Sequence, residues 1–177
     1  MTTKTPSMGT LIEAVAFAAD KHRDQRRKDV AASPYINHPI ALANVLANEG
    51  GVTNLTALCA AVLHDTVEDT DTTEKELVDR FGSDIASVVM EVTDDKSLDK
   101  ARRKELQIEH APHMSNAARL VKLADKISNL RDILASPPAD WSIERKQAYF
   151  DWAAKVVAGL HGTHPAFLTH RSQFHRR

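Results

Sequence analysis

The chain lacks the features that mark secreted, membrane-spanning or nucleic-acid-binding proteins. Cys59 is the only cysteine among 177 residues, so a disulfide framework is excluded. No apolar stretch reaches the length of a membrane span, and the N-terminal sequence MTTKTPSMGT has no signal-peptide core. A formal net charge of −1 provides no overall basic field that would draw the protein to nucleic acid or to a membrane surface. We therefore expect a cytoplasmic protein that binds neither nucleic acid nor membrane.

Stretches with the two-residue period of a β-strand are also lacking, and the helical period dominates. The run LIEAVAFAADKHRDQRR at 11–27 predicts a first helix with Thr10 as its N-cap. Asn54 is predicted to cap a third helix, and Ser142 a last helix that extends to about residue 161. The chain is therefore expected to be all-α.

Neither an internal repeat nor a shift in composition divides the chain. We predict a single domain over residues 1–177, a compact helical bundle with its core at about 10–161 and a basic tail at 162–177. The prolines Pro34 and Pro39 interrupt the helical pattern, so a loop or a short irregular hairpin is expected near residues 27–37.

The stretch HDTVEDT at 64–70 is unusual because it directly follows LTALCAAVL, which is uncharged and mostly apolar on all sides. A helix of that kind is buried. His64 and Glu68 are four residues apart, and so are Asp65 and Asp69, which places each pair on one helical face. Carboxylates this close together repel one another and lose hydration, so a positive group is expected among them.

Two further segments provide partners for this group. His38 stands in the triplet NHP at a junction between loop and helix, and Asp125 and Asn129 are four residues apart in KLADKISNL. Two imidazoles and two carboxylates suit manganese, iron or zinc better than magnesium or calcium. We therefore predict one divalent ion bound by the metal ligands His38, His64, Asp65 and Asp125. A bound ion makes water a usable nucleophile, whose proton Glu68 and Asp69 could accept.

Each of these residues also has a structural interpretation when taken alone. His38 would fit a capping or surface histidine, and Asp125 an exposed partner of a residue one turn away. The combination of three motifs favours a metal site over a structural carboxylate cluster. The remaining histidines lack such neighbours and are predicted to be surface groups: His22, His110, His113, His161, His164, His170 and His175.

The sequence resembles the HD-domain phosphohydrolases, which are named for a His-Asp pair. Within them it is similar to RelA/SpoT-type alarmone hydrolases, above all to the small stand-alone hydrolases of the metazoan SpoT-homolog type. The segments that carry this resemblance span about residues 10–161, in order: HRDQRRKD (22–29), PYINHPI (34–40), VLHDTVEDTDTT (62–73), EVTDDKSL (91–98), LVKLADKISNLRD (120–132) and YFDWAAKVV (149–157).

The resemblance implies an all-helical hydrolase with one Mn²⁺ per chain, or Zn²⁺ or Fe²⁺ in its place. The family removes pyrophosphate from the 3′ position of purine alarmones, (p)ppGpp and for some members (p)ppApp, and releases the 5′-di- or triphosphate. By motif, Glu68 and Asp69 match the catalytic pair that activates the attacking water. Residues that match substrate contacts are Arg27, Lys28, Lys96, Asn129, Arg145 and Tyr149.

Several alternatives remain open from the residues. Read alone, Arg27 and Lys28 also fit a solvated helix end, and Tyr149 fits a half-buried packing residue. An NADPH 2′-phosphatase would use the same site, because it also cleaves a phosphorus ester on a nucleotide ribose. A nucleotide sensor without catalysis is a third interpretation, but it would not require Glu68 and Asp69.

Overall fold

The structure is a computed structural model that describes residues 5–138 and 140–162. Its α-helices are α1 (Met8–Lys21), α2 (Asn37–Asn44), α3 (Leu55–Leu63), α4 (Thr66–Asp69), α5 (Glu74–Phe81), α6 (Ser83–Val92), α7 (Lys100–His110), α8 (Asn116–Ala135) and α9 (Ile143–Gly159). One π-helical turn, Val45–Glu49, extends α2, and one 3₁₀ turn, Ala111–His113, follows α7. Within the described ranges the chain forms no β-strand, which confirms the predicted all-α class.

Helix α3 lies at the centre and packs against α1, α2, α6 and α8. Every side chain from Ala57 to Leu63 is buried, as its uniformly apolar sequence predicts. Around it, α5 and α6 contribute the fully buried side chains of Leu77 and Ile85. Helix α9 packs against α7 and α8 through a smaller cluster that includes Val156. The central helix therefore delivers the segment that follows it, residues 64–69, into the interior.

The segment between α1 and α2 turns back on itself. Arg26 and Pro34 form one isolated antiparallel bridge, and the Arg27 backbone N–H donates to the Ser33 carbonyl at 2.8 Å. The Asp29 carboxylate accepts hydrogen bonds from Ser33, including its backbone N–H at 2.9 Å. The short irregular hairpin expected from Pro34 is thus present as a single bridge with a polar turn.

Both ends of the first helix differ from the sequence prediction. Helix α1 begins after Ser7, because the Ser7 and Thr10 side chains accept each other's backbone N–H in a capping box; Thr10 is therefore inside the helix. The helix ends at Lys21 and does not continue to Arg27, because the chain turns at His22. The predicted N-caps Asn54 and Ser142 are confirmed.

The prediction that His22 is a surface group is wrong. Its side chain is 1% exposed and packs against the ring of Tyr35 with 4.9 Å between ring centroids. Most of the predicted tail, with His164, His170 and His175, lies outside the described residues. Among the described residues, no helix is both long enough and apolar enough to span a bilayer.

Candidate metal centre and substrate cavity

The centre of the site is the break between α3 and α4, at His64 and Asp65. The sequence prediction treated residues 64–69 as a continuation of α3, whereas the structure starts a separate short helix at Thr66. The Thr66 hydroxyl donates to the Leu63 carbonyl at 2.7 Å, and His64 Nδ1 donates to the Ala61 carbonyl at 2.8 Å. Because Nδ1 carries that proton, Nε2 is the nitrogen of His64 that faces the site, and it can bind a metal ion once its own proton is displaced.

All four predicted metal ligands lie together. His38, His64 and Asp65 can each present one ligand atom within 4.8 Å of the others. Asp125 joins them, since its Oδ1 lies 3.2 Å from His38 Nε2 and 3.9 Å from His64 Nε2. Among the residues that the structure describes, the buried atoms His38 Nδ1 and His64 Nε2 have no hydrogen-bond partner. Two such imidazoles beside two carboxylates form a donor set that fits a divalent transition-metal ion.

The charged side chains of this group shift one another's pKa values. Burial lowers the pKa of His64, but the carboxylates of Asp65 and Asp125 outweigh it and raise the pKa to about 9. For Asp65, burial raises the pKa, but His64 and His38 lower it by a larger amount. The net pKa of Asp65 is therefore well below its usual range. Burial likewise opposes ionisation of Asp125, yet Lys126 and His38 hold its pKa well below the usual range. The carboxylates are therefore ionised and available as ligands at neutral pH.

The positive group expected beside the carboxylates includes two buried lysines of α8 that the sequence prediction missed. Lys126 is 3% exposed, and its Nζ lies 3.1 Å from Asp125 Oδ2. Lys122 is 5% exposed, and its Nζ donates to the Val92 carbonyl at 3.0 Å. Both lysines flank Asp125 within LVKLADKISNLRD, so a charge-balance argument applied to that motif would have found them.

Glu68 and Asp69 project from α4 beside the predicted ligands. Glu68 Oε2 accepts a hydrogen bond from the Asp94 backbone N–H at 3.1 Å, and burial raises the pKa of Glu68 to about 7. Asp69 is half-buried and contacts the Lys96 ammonium group and the Tyr35 hydroxyl. A carboxylate with a pKa near 7 can take up and release a proton close to neutral pH.

One cavity of about 190 Å³ connects these groups. It is lined by the four predicted ligands, by Glu68 and Asp69, and by two predicted substrate contacts, Arg27 and Asn129. Arg27 Nη2 donates to Asp132 Oδ2 at 2.6 Å and to Asn129 Oδ1 at 3.3 Å, which holds the guanidinium group at the cavity. Lys28 is exposed and does not line this cavity.

A second cavity of about 300 Å³ lies beside the first and shares Asp94 and Gln107 with it. Arg145 and Tyr149 line this second cavity and not the metal cavity. Lys96 lines neither cavity and contacts the site through Asp69. The wall of the second cavity also contains side chains that the sequence prediction missed, namely the cations Lys100, Arg103 and Lys104 and the indoles Trp141 and Trp152.

The missed cations come from α7, whose residues are all at least partly exposed. A helix with so many charges reads as a solvated surface helix in sequence, and only its packing against α9 reveals the cavity. Lys104 Nζ lies 4.7 Å from the centroid of the Trp152 ring. Burial, Lys100 and Lys126 lower the pKa of Lys104, as expected where several cations share one cavity.

Known proteins share both the sequence and the fold of this chain. The family described as HD domain matches residues 14–151. The guanosine-3′,5′-bis(diphosphate) 3′-pyrophosphohydrolase of Homo sapiens is 58% identical over 153 residues, 86% of each protein. Its namesake in Danio rerio is 56% identical over 160 residues, 90% of this chain and 89% of that protein. A solved structure of a metazoan ortholog of SpoT that hydrolyses ppGpp superposes with a TM-score of 0.91, at 46% identity, over 99% of this chain and 98% of the other.

Proposed function

The chain belongs to the HD domain family, and on that premise we propose that it is a metal-dependent 3′-pyrophosphohydrolase of purine alarmones, (p)ppGpp and/or (p)ppApp. The observation that carries the proposal is the buried group of His38, His64 and Asp65, with Asp125 in contact, at the floor of one cavity. The similarity to 3′-pyrophosphohydrolases over 86% of the chain supports the choice of reaction.

We assign the four predicted ligands to one Mn²⁺ per chain, with Zn²⁺ or Fe²⁺ as the alternatives for the same mixed nitrogen and oxygen donors. When bound, such an ion supplies Lewis-acid chemistry, because it lowers the pKa of a coordinated water molecule and offsets phosphate charge. His64 would bind through Nε2, since Nδ1 is engaged by the Ala61 carbonyl. The ion would also offset the repulsion between Asp65 and Asp125, both of which are ionised in the folded protein.

Glu68 and Asp69 are the proposed proton acceptors for the attacking water. Burial raises the pKa of Glu68 to about 7, so its carboxylate can receive a proton at neutral pH and pass it on. The hydrogen bond from the Asp94 N–H holds Oε2 in place on the cavity wall. Lys96, the predicted substrate contact, also touches Asp69, so its ammonium group would lie next to both this carboxylate and the substrate.

The substrate has two polyphosphate arms, and the two cavities offer separate positions for them. We place the reacting 3′ arm in the metal cavity, where Arg27 and Asn129 can contact it. The base and the 5′ arm then extend into the second cavity, where Arg145 and Tyr149 lie beside further cations and indole rings. Arginine can bind phosphate through paired donors, and aromatic rings provide a stacking surface for a purine. Lys28, which is exposed, contributes only to the surrounding charge.

In the proposed reaction, water oxygen bonds to the phosphorus attached to the ribose 3′ oxygen, and the bond between that phosphorus and the 3′ oxygen breaks. A proton from the water goes to the Glu68 and Asp69 pair, which passes a proton on to the departing 3′ oxygen, so the ribose leaves with a free 3′ hydroxyl. Hydrolysis in oxygen-18 water should therefore label the released pyrophosphate and leave the recovered 5′-di- or triphosphate unlabelled. Release of unlabelled pyrophosphate would contradict attack at this phosphorus.

A substrate panel at saturating Mn²⁺ tests the assignment against its alternatives. We expect pyrophosphate from guanosine or adenosine alarmones at a higher kcat/KM than phosphate from NADPH. Efficient phosphate release from NADPH with inert alarmones would instead make the protein an NADPH 2′-phosphatase. Binding of the nucleotides without turnover of any would identify a nucleotide sensor.

One domain over residues 1–177 is part of this proposal. It is supported by the central position of α3, which packs against α1 from the first part of the chain and α8 from the last third. A cytoplasmic location remains a prediction from the sequence.

A further inference from the structure

Tyr35 is a half-buried side chain that lines the metal cavity beside the proposed ligands. Its hydroxyl lies 2.5 Å from Asp65 Oδ2 and 3.4 Å from Asp69 Oδ2. An ionised carboxylate can accept hydrogen bonds but cannot donate them, so the Tyr35 hydroxyl is the donor. The Tyr35 hydroxyl proton therefore lies between Asp65, a proposed metal ligand, and Asp69, a proposed proton acceptor.

The ring of Tyr35 is held on both sides. It packs against His22 with 4.9 Å between centroids and edge-on against His38 with 6.0 Å between centroids. Its backbone N–H donates to the Gln25 carbonyl at 3.1 Å, and its carbonyl accepts from the His38 N–H at 3.0 Å. The hydroxyl position is therefore determined by the same short segment that delivers His38.

Asp65 Oδ2 is contacted from two directions. Tyr35 donates to it from one side, and His64 Nε2 lies 2.9 Å away on the other. Without the tyrosine hydroxyl, the Asp65 carboxylate could rotate about its side-chain bonds. No hydroxyl proton from Tyr35 would then reduce the repulsion between Asp65 and Asp69. Residues that orient metal ligands in this way typically change metal affinity or activity by about 10- to 100-fold when they are removed.

We infer that Tyr35 is a positioning residue of the metal site: its hydroxyl fixes Asp65 for metal binding and holds Asp69 beside it. The inference rests on the proposed metal site but not on the identity of the nucleotide. The same segment is joined to α4 a second time, because Gln25 Nε2 donates to the Asp69 carbonyl at 2.6 Å. Loss of the hydroxyl should therefore loosen the Asp65 side chain without detaching the segment.

The test is a titration of metal-free protein with Mn²⁺, in which the electron paramagnetic resonance signal of the unbound ion measures the affinity. Tyr35→Phe keeps the ring and its packing on His22 and His38, and we expect it to weaken Mn²⁺ binding by about 10-fold or more. Tyr149→Phe is the matched control, because it removes the same hydroxyl from the second cavity and should leave Mn²⁺ affinity unchanged. At saturating Mn²⁺, Tyr35→Phe should lower kcat more than it changes KM, because Asp69 is displaced while Arg27 is not.

The thermal unfolding of each metal-free variant separates positioning from folding. Loss of Mn²⁺ affinity in Tyr35→Phe with a melting temperature close to that of the wild type supports the inference, whichever nucleotide is hydrolysed. Unchanged Mn²⁺ affinity in Tyr35→Phe overturns it, and so does an equal loss in Tyr149→Phe. A wild-type protein that binds no Mn²⁺, Zn²⁺ or Fe²⁺ overturns both this inference and the proposed metal site.

Discussion

His38 Nε2 and Asp125 Oδ1 lie 3.2 Å apart although 87 positions separate them in the sequence. His38 enters from the start of α2 and Asp125 from the middle of α8, and both helices pack against α3, which ends at the other two proposed ligands. The central helix therefore acts as the common support on which the four ligands meet.

Asp125→Asn should lower metal content and hydrolysis together. The variant keeps the size of the side chain but removes the charge that binds the ion, and it leaves Lys126 buried without its partner. Metal analysis of the purified variant and turnover with added Mn²⁺ check this. Asp132→Asn is the matched control, since Asp132 lies two turns further along α8 and contacts Arg27; it should retain its metal. Full metal content in Asp125→Asn would remove Asp125 from the ligand set.

Glu68→Gln should lower kcat by about 100-fold or more while metal stays bound, because the amide cannot accept the proton from water. The amide oxygen can still accept the hydrogen bond from the Asp94 N–H, so the local structure should be retained. Glu74→Gln, at the exposed start of α5, is the control and should turn over normally. Loss of metal in Glu68→Gln would assign Glu68 to the ligands, and an unchanged kcat would end its proposed role.

The raised pKa of Glu68 also predicts how stability depends on pH in metal-free protein. The folded state keeps the Glu68 proton up to about pH 7, whereas the unfolded chain loses it near the usual value of 4.5. The contribution of this group to stability is therefore lost as pH rises through that window. Glu68→Gln should raise the melting temperature relative to the wild type at pH 8 and change it little at pH 4.5, measured in chelator. An equal difference at both values would contradict the raised pKa.

Arg27→Met should weaken substrate capture more than Lys28→Met does. A charge-assisted contact to phosphate contributes about 1.5–3 kcal/mol, which corresponds to a loss of roughly 10- to 100-fold in kcat/KM for Arg27. Lys28 is exposed and outside both cavities, so its contribution is screened and should be much smaller. Metal content should be normal in both variants. Equal effects of the two substitutions would mean that the substrate contacts both cations alike.

Salt provides a second test of the same cations. The wild-type kcat/KM should fall as ionic strength rises, and Arg27→Met should show a shallower dependence. The Lys28→Met variant should keep nearly the wild-type dependence. A wild-type rate that is independent of salt would argue against electrostatic capture of the substrate.

Much of the fold could be predicted from the sequence because the relevant forces are local. The three-to-four-residue period of apolar side chains specifies helices, and Asn54 and Ser142 cap them through contacts within one turn. The apolar run before His64 predicts a buried central helix for the same reason. The end of α1 was predicted six residues too late, because the inward turn at His22 depends on its packing against Tyr35, which is a tertiary contact.

Residue chemistry and helical spacing are local properties, so the all-α class, the buried central helix and the types of ligand that this protein could offer all follow from the order of its residues. Tertiary structure decided which of these residues meet. It brought His38 and Asp125 to one point, and it buried Lys122 and Lys126 beside the carboxylates. It also separated the predicted substrate contacts into two cavities, because α9 packs against α7 and places Arg145 and Tyr149 in the second cavity. Such distances between remote segments follow from helix packing, which no local pattern encodes.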